Sequence, residues 1–403
     1  MQIIKILVRI LRGACRRISR PINVFFIGLF QKSKINRSLI VFESEGDLSD
    51  NSFALFDYLL NNRYLESYSV VWMVDDIIKV RRRKYPNTVY KRKNPIFVDI
   101  KRSFYLATCA FYIYDHCNLL KDCKKREGQK IIYLSHGGIL KKAKGTSNDY
   151  YNNDENYITG KLFIPGMKSW TQASDNKIID IGFPRLDYFF KTPSNNTNKL
   201  KKLLNIDPYN KMFVWMPTYR KSWNAAFSEE YSYSSTGIPI LHSIDDFIKL
   251  NDFLKSKNTV CVFKPHHLQF HLDIFDKCYS NICFLTDDLL FENDVQLYEF
   301  INISDALITD YSSVGYDYAI TNKPIIYTID DEGQYFKSRG FVIDPRPYSI
   351  GYKCKEIHDI YNAIEDICNG FDEYKQKRVE ILPMLHSHID GYASKRIVEH
   401  LRI

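Results

Sequence analysis

Ten short runs in this sequence are apolar at consecutive positions, and few folds accept that pattern. Leu39–Glu43, Ser69–Val74, Phe111–Asp115, Lys130–Ser135 and Ile178–Gly182 form one set, and Met212–Met216, Thr259–Lys264, Ile282–Leu285, Ala306–Thr309 and Pro324–Ile329 a second. Most are β-branched or aromatic. A strand wetted on one face is apolar at every second position. A strand covered on both faces is apolar throughout, as in a parallel sheet between helices. Stretches such as Ser52–Asn61, Ile244–Lys255 and Val295–Ile303 separate the runs and are predicted helices. Strands alternating with helices predict an α/β fold with right-handed crossovers.

The polar stretch Thr192–Asn198 reads as a linker. It divides the chain into an arm at 1–37, one doubly wound half at 38–198 and another at 199–403. Two such sheets facing each other leave a cleft at their strand carboxyl ends, where ligands bind in this architecture. Hydrophobic residues at 45% and charged residues at 26% exclude a disordered chain.

The formal charge of +9 is concentrated at one end. Nine of the 56 Lys and Arg lie in the first 37 residues, where no acid occurs, so the remaining 47 equal the 47 Asp and Glu. A neutral body argues against nucleic-acid binding, which calls for a basic stripe on the fold itself. In the arm, Lys5, Arg9, Arg12 and Arg16 share one helical face, with Ile3, Ile6, Leu7, Ile10 and Ala14 opposite. A second apolar patch, Ile22–Phe30, is shorter than the roughly 20 residues that span a bilayer. No small-residue cleavage site follows, unlike a signal peptide. The arm is expected to lie as an amphipathic helix on an anionic cytoplasmic leaflet. The alternatives are an ordinary first helix packed on the body and a helix bound by a partner protein. Nine cysteines without a CxxC pair suggest free thiols in a reducing cytoplasm and no zinc site.

Three polar constellations follow predicted strands. The first is Ser135-His136-Gly137-Gly138. Its glycines let backbone approach a ligand, and its histidine is either a general base or a turn cap. Lys141 and Lys142 follow it. The second is Lys264-Pro265-His266-His267, a cationic rim suited to phosphate. His271 adds one possible metal ligand, but no carboxylate or cysteine completes a set. The third runs from Thr309-Asp310 into Ser312 and Ser313. These serines can cap a helix, or join its free N–H groups in holding an anion. Neither a Walker loop nor a strand-borne GxGxxG is present, nor is a Gly-x-Ser-x-Gly elbow.

These segments resemble, in order, those of the CDP-glycerol glycerophosphotransferase family, the teichoic-acid-type polymerases and primases. The segment from Ala306 to Ala319, followed by Asn322 to Tyr327, is similar to the family signature. Ser135 to Lys141 resembles its His-Gly-Thr-Pro-Leu-Lys segment. Gly182 to Asp187 resembles Gly-Tyr-Pro-Arg-Asn-Asp, Met216 to Arg220 resembles Ala-Pro-Thr-Trp-Arg, and Lys264 to His266 resembles a basic-x-His segment. Gly138-Ile139 stands in place of Thr-Pro, and Leu186 in place of Asn.

The resemblance implies a GT-B-like fold, two Rossmann-like doubly wound domains facing a central cleft. It implies transfer of a polyol phosphate, glycerol phosphate first, from a CDP-polyol to a hydroxyl of a glycan or lipid-linked acceptor, with release of CMP and without metal or cofactor. The 38–198 half would take the acceptor and the 199–403 half the CDP-polyol. By position, His136 and His266 are the catalytic candidates. Gly137, Arg185, Thr218, Lys264, Thr309, Asp310, Ser312 and Ser313 are the candidates for holding the donor. The expected location is cytoplasmic, peripheral on the inner face of the cell membrane. The competing expectation is a GT-B glycosyltransferase using a nucleotide sugar in capsule or lipopolysaccharide synthesis. A scaffold that kept the fold and lost activity is the non-enzyme alternative.

Overall fold

A computed structural model describes residues 18–93, 99–143, 150–218, 220, 234–266 and 273–403. Two all-parallel sheets organise it. The first contains β1 (Asn36–Glu43), β2 (Ser69–Val74), β3 (Thr88–Arg92), β4 (Cys109–Tyr114), β5 (Lys130–Tyr133), β6 (Glu155–Ile158) and β7 (Ile178–Asp180), in the order β3-β2-β1-β4-β5-β6-β7. The second contains β8 (Lys211–Met216), β9 (Thr259–Phe263), β10 (Ile282–Phe284), β11 (Ala306–Thr309), β12 (Ile325–Thr328) and β13 (Tyr352–Cys354), in the order β10-β9-β8-β11-β12-β13. In each sheet the chain leaves the first strand one way and returns on its other side. The crevices that follow open between β1 and β4 and between β8 and β11.

All ten apolar runs form strands, most of them buried along nearly their whole length, while the edge strands β7 and β10 are partly exposed. Every residue of β9 is buried, as are the last five of β1. Three strands were not expected. β3 is a basic edge strand, β6 begins with Glu155-Asn156, and β13 has three residues.

The predicted linker is half helix. Residues Asn195–Leu203 are helical because the Ser194 hydroxyl accepts from Thr197 N at the N-terminus and Lys201 and Lys202 sit in the last turn. Glu299 of the second half accepts from Ser194 N at 2.7 Å and from the Thr197 hydroxyl at 2.6 Å.

The last helix, Ala393–Leu401, returns to the first sheet. Ile397, Val398 and Leu401 join the core that holds Ile40, Phe42 and Trp72. The Asp187 carboxylate accepts from Ala393 N and Ser394 N at 2.8 and 2.9 Å.

Residues 1–17 lie outside the described part, and with them Lys5, Arg9, Arg12 and Arg16. Residues 18–30 are helical. One face packs on the body through buried Ser19, Asn23 and Ile27. The other exposes Ile18, Ile22, Phe25 and Leu29. No helix among the described residues is long and apolar enough to cross a membrane.

Candidate active site

The His136 turn begins where β5 ends. Ser135 lies in the left-handed region at φ 62°, and its hydroxyl donates to the Gly137 carbonyl at 3.0 Å. Gly137 follows at φ 152°. A Cβ at Gly137 would overlap Ser313 Oγ of the other half and stand 2.8 Å from Ser313 Cβ. Glycine is required here twice, by conformation and by proximity.

The imidazole of His136 is held by backbone. Its Nδ1 lies 3.3 Å from the Asp115 carbonyl oxygen. The Tyr133 hydroxyl lies 3.4 Å from the same Nδ1; donation from Nδ1 to the carbonyl is the tautomer that leaves the Nε2 lone pair free. Asp115 is immobile because its carboxylate accepts from Glu45 N at 3.0 Å and from Ser52 N at 2.9 Å. Burial lowers the His136 pKa below the ordinary imidazole value, against the opposing charge of Glu45. Trp170 flanks the ring at 5.8 Å, its own indole N–H donating to the Lys141 carbonyl at 2.7 Å.

The facing wall comes from the ends of β8, β9 and β11. Ser312 and Ser313 line the cleft there, with Thr218, Lys264 and His266. The helix after the serines, Val314–Tyr318, has only five residues, so its macrodipole is small. Polarity at this wall comes from hydroxyls and N–H groups. Ser313 makes no side-chain cap bond. Lys264 Nζ pairs with Asp287 at 2.8 Å. His267 and His271 lie outside the described residues.

Thr309 and Asp310 sit behind this wall. The buried Thr309 hydroxyl donates to the Met216 carbonyl at 2.8 Å. Buried Asp310 accepts from Thr218 N at 2.9 Å, from the Thr218 hydroxyl, and from Arg220 Nη1 at 2.9 Å. Arg220 also pairs with Asp331 at 2.7 Å. These two candidates brace the wall, and the Thr218 hydroxyl is engaged by the same brace.

Arg185 stands where the halves meet. Nη1 is 2.6 Å from Asp50 of the first half and Nη2 is 2.5 Å from Asp317 of the second. The cleft enclosed between the halves has a volume of 1010 Å³ and draws its lining from both. Its size suits a nucleotide with part of an acceptor.

Residues 24–402 match the family described as CDP-Glycerol:Poly(glycerophosphate) glycerophosphotransferase. The chain belongs to this family. A teichoic acid poly(glycerol phosphate) polymerase of Bacillus spizizenii is 26% identical over 93% of this chain and 94% of its own length. A teichoic acid ribitol-phosphate primase of the same organism is 24% identical over 74% and 76%. The solved structure of the wall teichoic acid polymerase TagF covers 98% of this chain and 96% of its own, with TM-score 0.72 at 19% identity, a likeness of fold. As a member of this glycerophosphotransferase family, the protein is an enzyme, a transferase.

Within this glycerophosphotransferase framework, several cleft residues escaped the sequence reading. Glu45, Asp50 and His116 line the cleft, and Asn51 supports it. A signal existed for all four. They follow β1 and β4, the two strands that flank the crevice of a doubly wound sheet. Asp317, expected from the resemblance to support the helix or the nucleotide, pairs with Arg185 across the halves.

Proposed function

We propose that the protein moves glycerol phosphate from CDP-glycerol to a hydroxyl of a glycan or lipid-linked acceptor, releasing CMP, with His136 as the base. The carrying observation is the His136 imidazole, its Nδ1 held by the Asp115 carbonyl and the Tyr133 hydroxyl and its pKa lowered by burial, beside the cleft that Ser312 and Ser313 line from the opposite half. The acceptor hydroxyl loses its proton to His136 Nε2 as its oxygen attacks the phosphorus that carries glycerol. The bond from that phosphorus to the CMP oxygen breaks. Charge developing on CMP is offset by Lys264, His266 and the two serine hydroxyls. Positioning by the two facing walls supplies much of the remaining acceleration. In this reading the first half takes the acceptor and the second takes the CDP-polyol.

The helix at 18–30 supports docking on an anionic membrane at its cytoplasmic face. Its exposed Ile18, Ile22, Phe25 and Leu29 form one stripe, which continues the sequence spacing of Ile3, Leu7, Ile10 and Ala14. By sequence spacing Lys5, Arg9, Arg12 and Arg16 fall on the face opposite the apolar positions. A lipid-linked acceptor would then meet the cleft at the bilayer surface.

The deciding experiment measures CMP release from CDP-glycerol and CDP-ribitol over membrane glycolipids, with wild type and His136→Ala. Release by wild type alone is expected. Release unchanged in His136→Ala removes the base assignment, and no CMP from either donor together with UDP or GDP released from a panel of UDP- and GDP-sugars transfers the enzyme to sugar chemistry.

A further inference from the structure

We infer that Arg185 is a positioning residue, a buried pin that fixes the His136 turn against the helix behind Ser312 and Ser313, and is not a ligand of the donor phosphates. The inference rests on the reading that this cleft transfers a phosphate between its two walls.

The pin reaches both walls through short links. Asn51 Oδ1 accepts from Arg185 N at 3.1 Å, and Asn51 Nδ2 donates to the Ser135 carbonyl at 2.8 Å. One amide side chain therefore ties Arg185 to the residue before His136. On the other side Asp317 lies one turn beyond Ser313, its N–H donating to the Ser313 carbonyl at 3.2 Å. Asp317 takes a second hydrogen bond from the Tyr298 hydroxyl at 2.5 Å. The Tyr298 ring lies 4.7 Å from the guanidinium carbon.

Charge decides against a phosphate role. Asp50 and Asp317 bring two negative charges to one guanidinium, so the triad is net negative. Arg185 lines the cleft, but a pyrophosphate approaching it meets this excess of negative charge, whereas Lys264 pairs with the single acid Asp287. Opening the cleft would separate Arg185 from Asp317 and leave that carboxylate, 2% exposed, without its cation. The exposed pair Arg82–Glu292 also bridges the halves, at 3.7 Å, but touches neither motif.

The test uses the full chain with Arg185→Met, Asp317→Leu and the two combined, and Glu292→Gln as a control. Three quantities are read: kcat and KM for CMP release, the affinity for CDP by calorimetry, and the radius of gyration by small-angle scattering. Each single variant is expected to lower kcat at least tenfold, keep the CDP dissociation constant within threefold and enlarge the particle. The combined variant should be no worse than Arg185→Met, because that change alone leaves both carboxylates without their cation and the second removes one of them. Arg185→Lys should recover part of kcat, since an ammonium reaches one carboxylate only. Glu292→Gln should match wild type.

A tenfold loss of CDP affinity in Arg185→Met, with Asp317→Leu binding normally, overturns the inference and makes Arg185 a donor ligand. Unchanged kcat in both single variants overturns it as well. Should the leucine variant fail to fold, Asp317→Asn removes only the charge and carries the same comparison. If wild type releases no CMP from any donor, the functional reading fails, while CDP affinity and particle size still judge the pin.

Discussion

Replacing Gly137 by alanine pushes one methyl group into the gap between the halves. The added Cβ would overlap Ser313 Oγ and lie 2.8 Å from Ser313 Cβ. Carbon atoms settle near 3.5 Å, so the two backbones must part by about 0.7 Å at that point. The hydroxyl can rotate away, but the Cβ cannot. A misplacement approaching an ångström in a site that works by positioning costs on the order of 100-fold in rate. The backbone adds its own cost. Gly137 sits at φ 152°, where alanine is strained, and the penalty is about 1–2 kcal/mol. A change of that size lowers the melting temperature by only a few degrees in a domain of this kind.

The expected outcome is therefore a folded protein with a severe kinetic defect. The assay is the initial rate of CMP release at saturating donor, beside a thermal melt followed by circular dichroism. Gly333→Ala is the control. Its Cβ would meet nothing within 4 Å, and it lies in the helix Glu332–Arg339, so it should be neutral or slightly stabilising. A Gly137→Ala enzyme within threefold of wild type would refute the reasoning, because the His136 turn and Ser313 could not then be touching in the working enzyme.

Three further outcomes follow from the same geometry. His136 must be neutral to act as a base, and burial lowers its pKa, so kcat/KM should hold as pH falls through the ordinary imidazole range and decline only below it. Glu45→Gln removes a charge that favours the imidazolium and should move that limb lower still; a limb at or above the ordinary value in wild type contradicts the assignment. Substituting serine for both Phe25 and Leu29 takes two exposed side chains worth about 1.5–3 kcal/mol each on burial out of the stripe, and co-sedimentation with anionic vesicles should drop more than tenfold; undiminished sedimentation defeats the docking proposal. Asp187→Ala strips two acceptors from the start of the last helix and should destabilise by about 1–2 kcal/mol, read as a lower urea midpoint; an unchanged midpoint means that the cap contributes nothing.

The sheets were legible because burial on both faces leaves a mark in consecutive residues. β3 escaped because an edge strand keeps one side wet, and Thr88–Arg92 carries two basic residues and an exposed Val89. β6 escaped because its polar start mimics a loop. In the cleft, the motifs after strands were readable as places but not as directions. Thr309 and Asp310 adjoin Ser312 in the chain, yet their side chains turn into the wall, and sequence adjacency carries no record of which way a strand end twists. Arg185 is legible in the sequence as a site candidate, but its pairing with Asp317, 132 residues away, is not. Buried pairing across two halves is a property of the assembled fold.

The return of helix Ala393–Leu401 to the first sheet sets an order of events during synthesis. β1 to β7 leave the ribosome early, but the apolar face that receives Ile397, Val398 and Leu401 stays open until everything through the second sheet has been translated. At about 5–20 residues per second, that wait lasts on the order of ten seconds or more. Through that interval the nascent first half presents an uncovered greasy groove and an unengaged Asp187. A chaperone that holds apolar surface would find its target there, and a ribosome stalled before Ala393 would leave a chain whose first half remains unsealed.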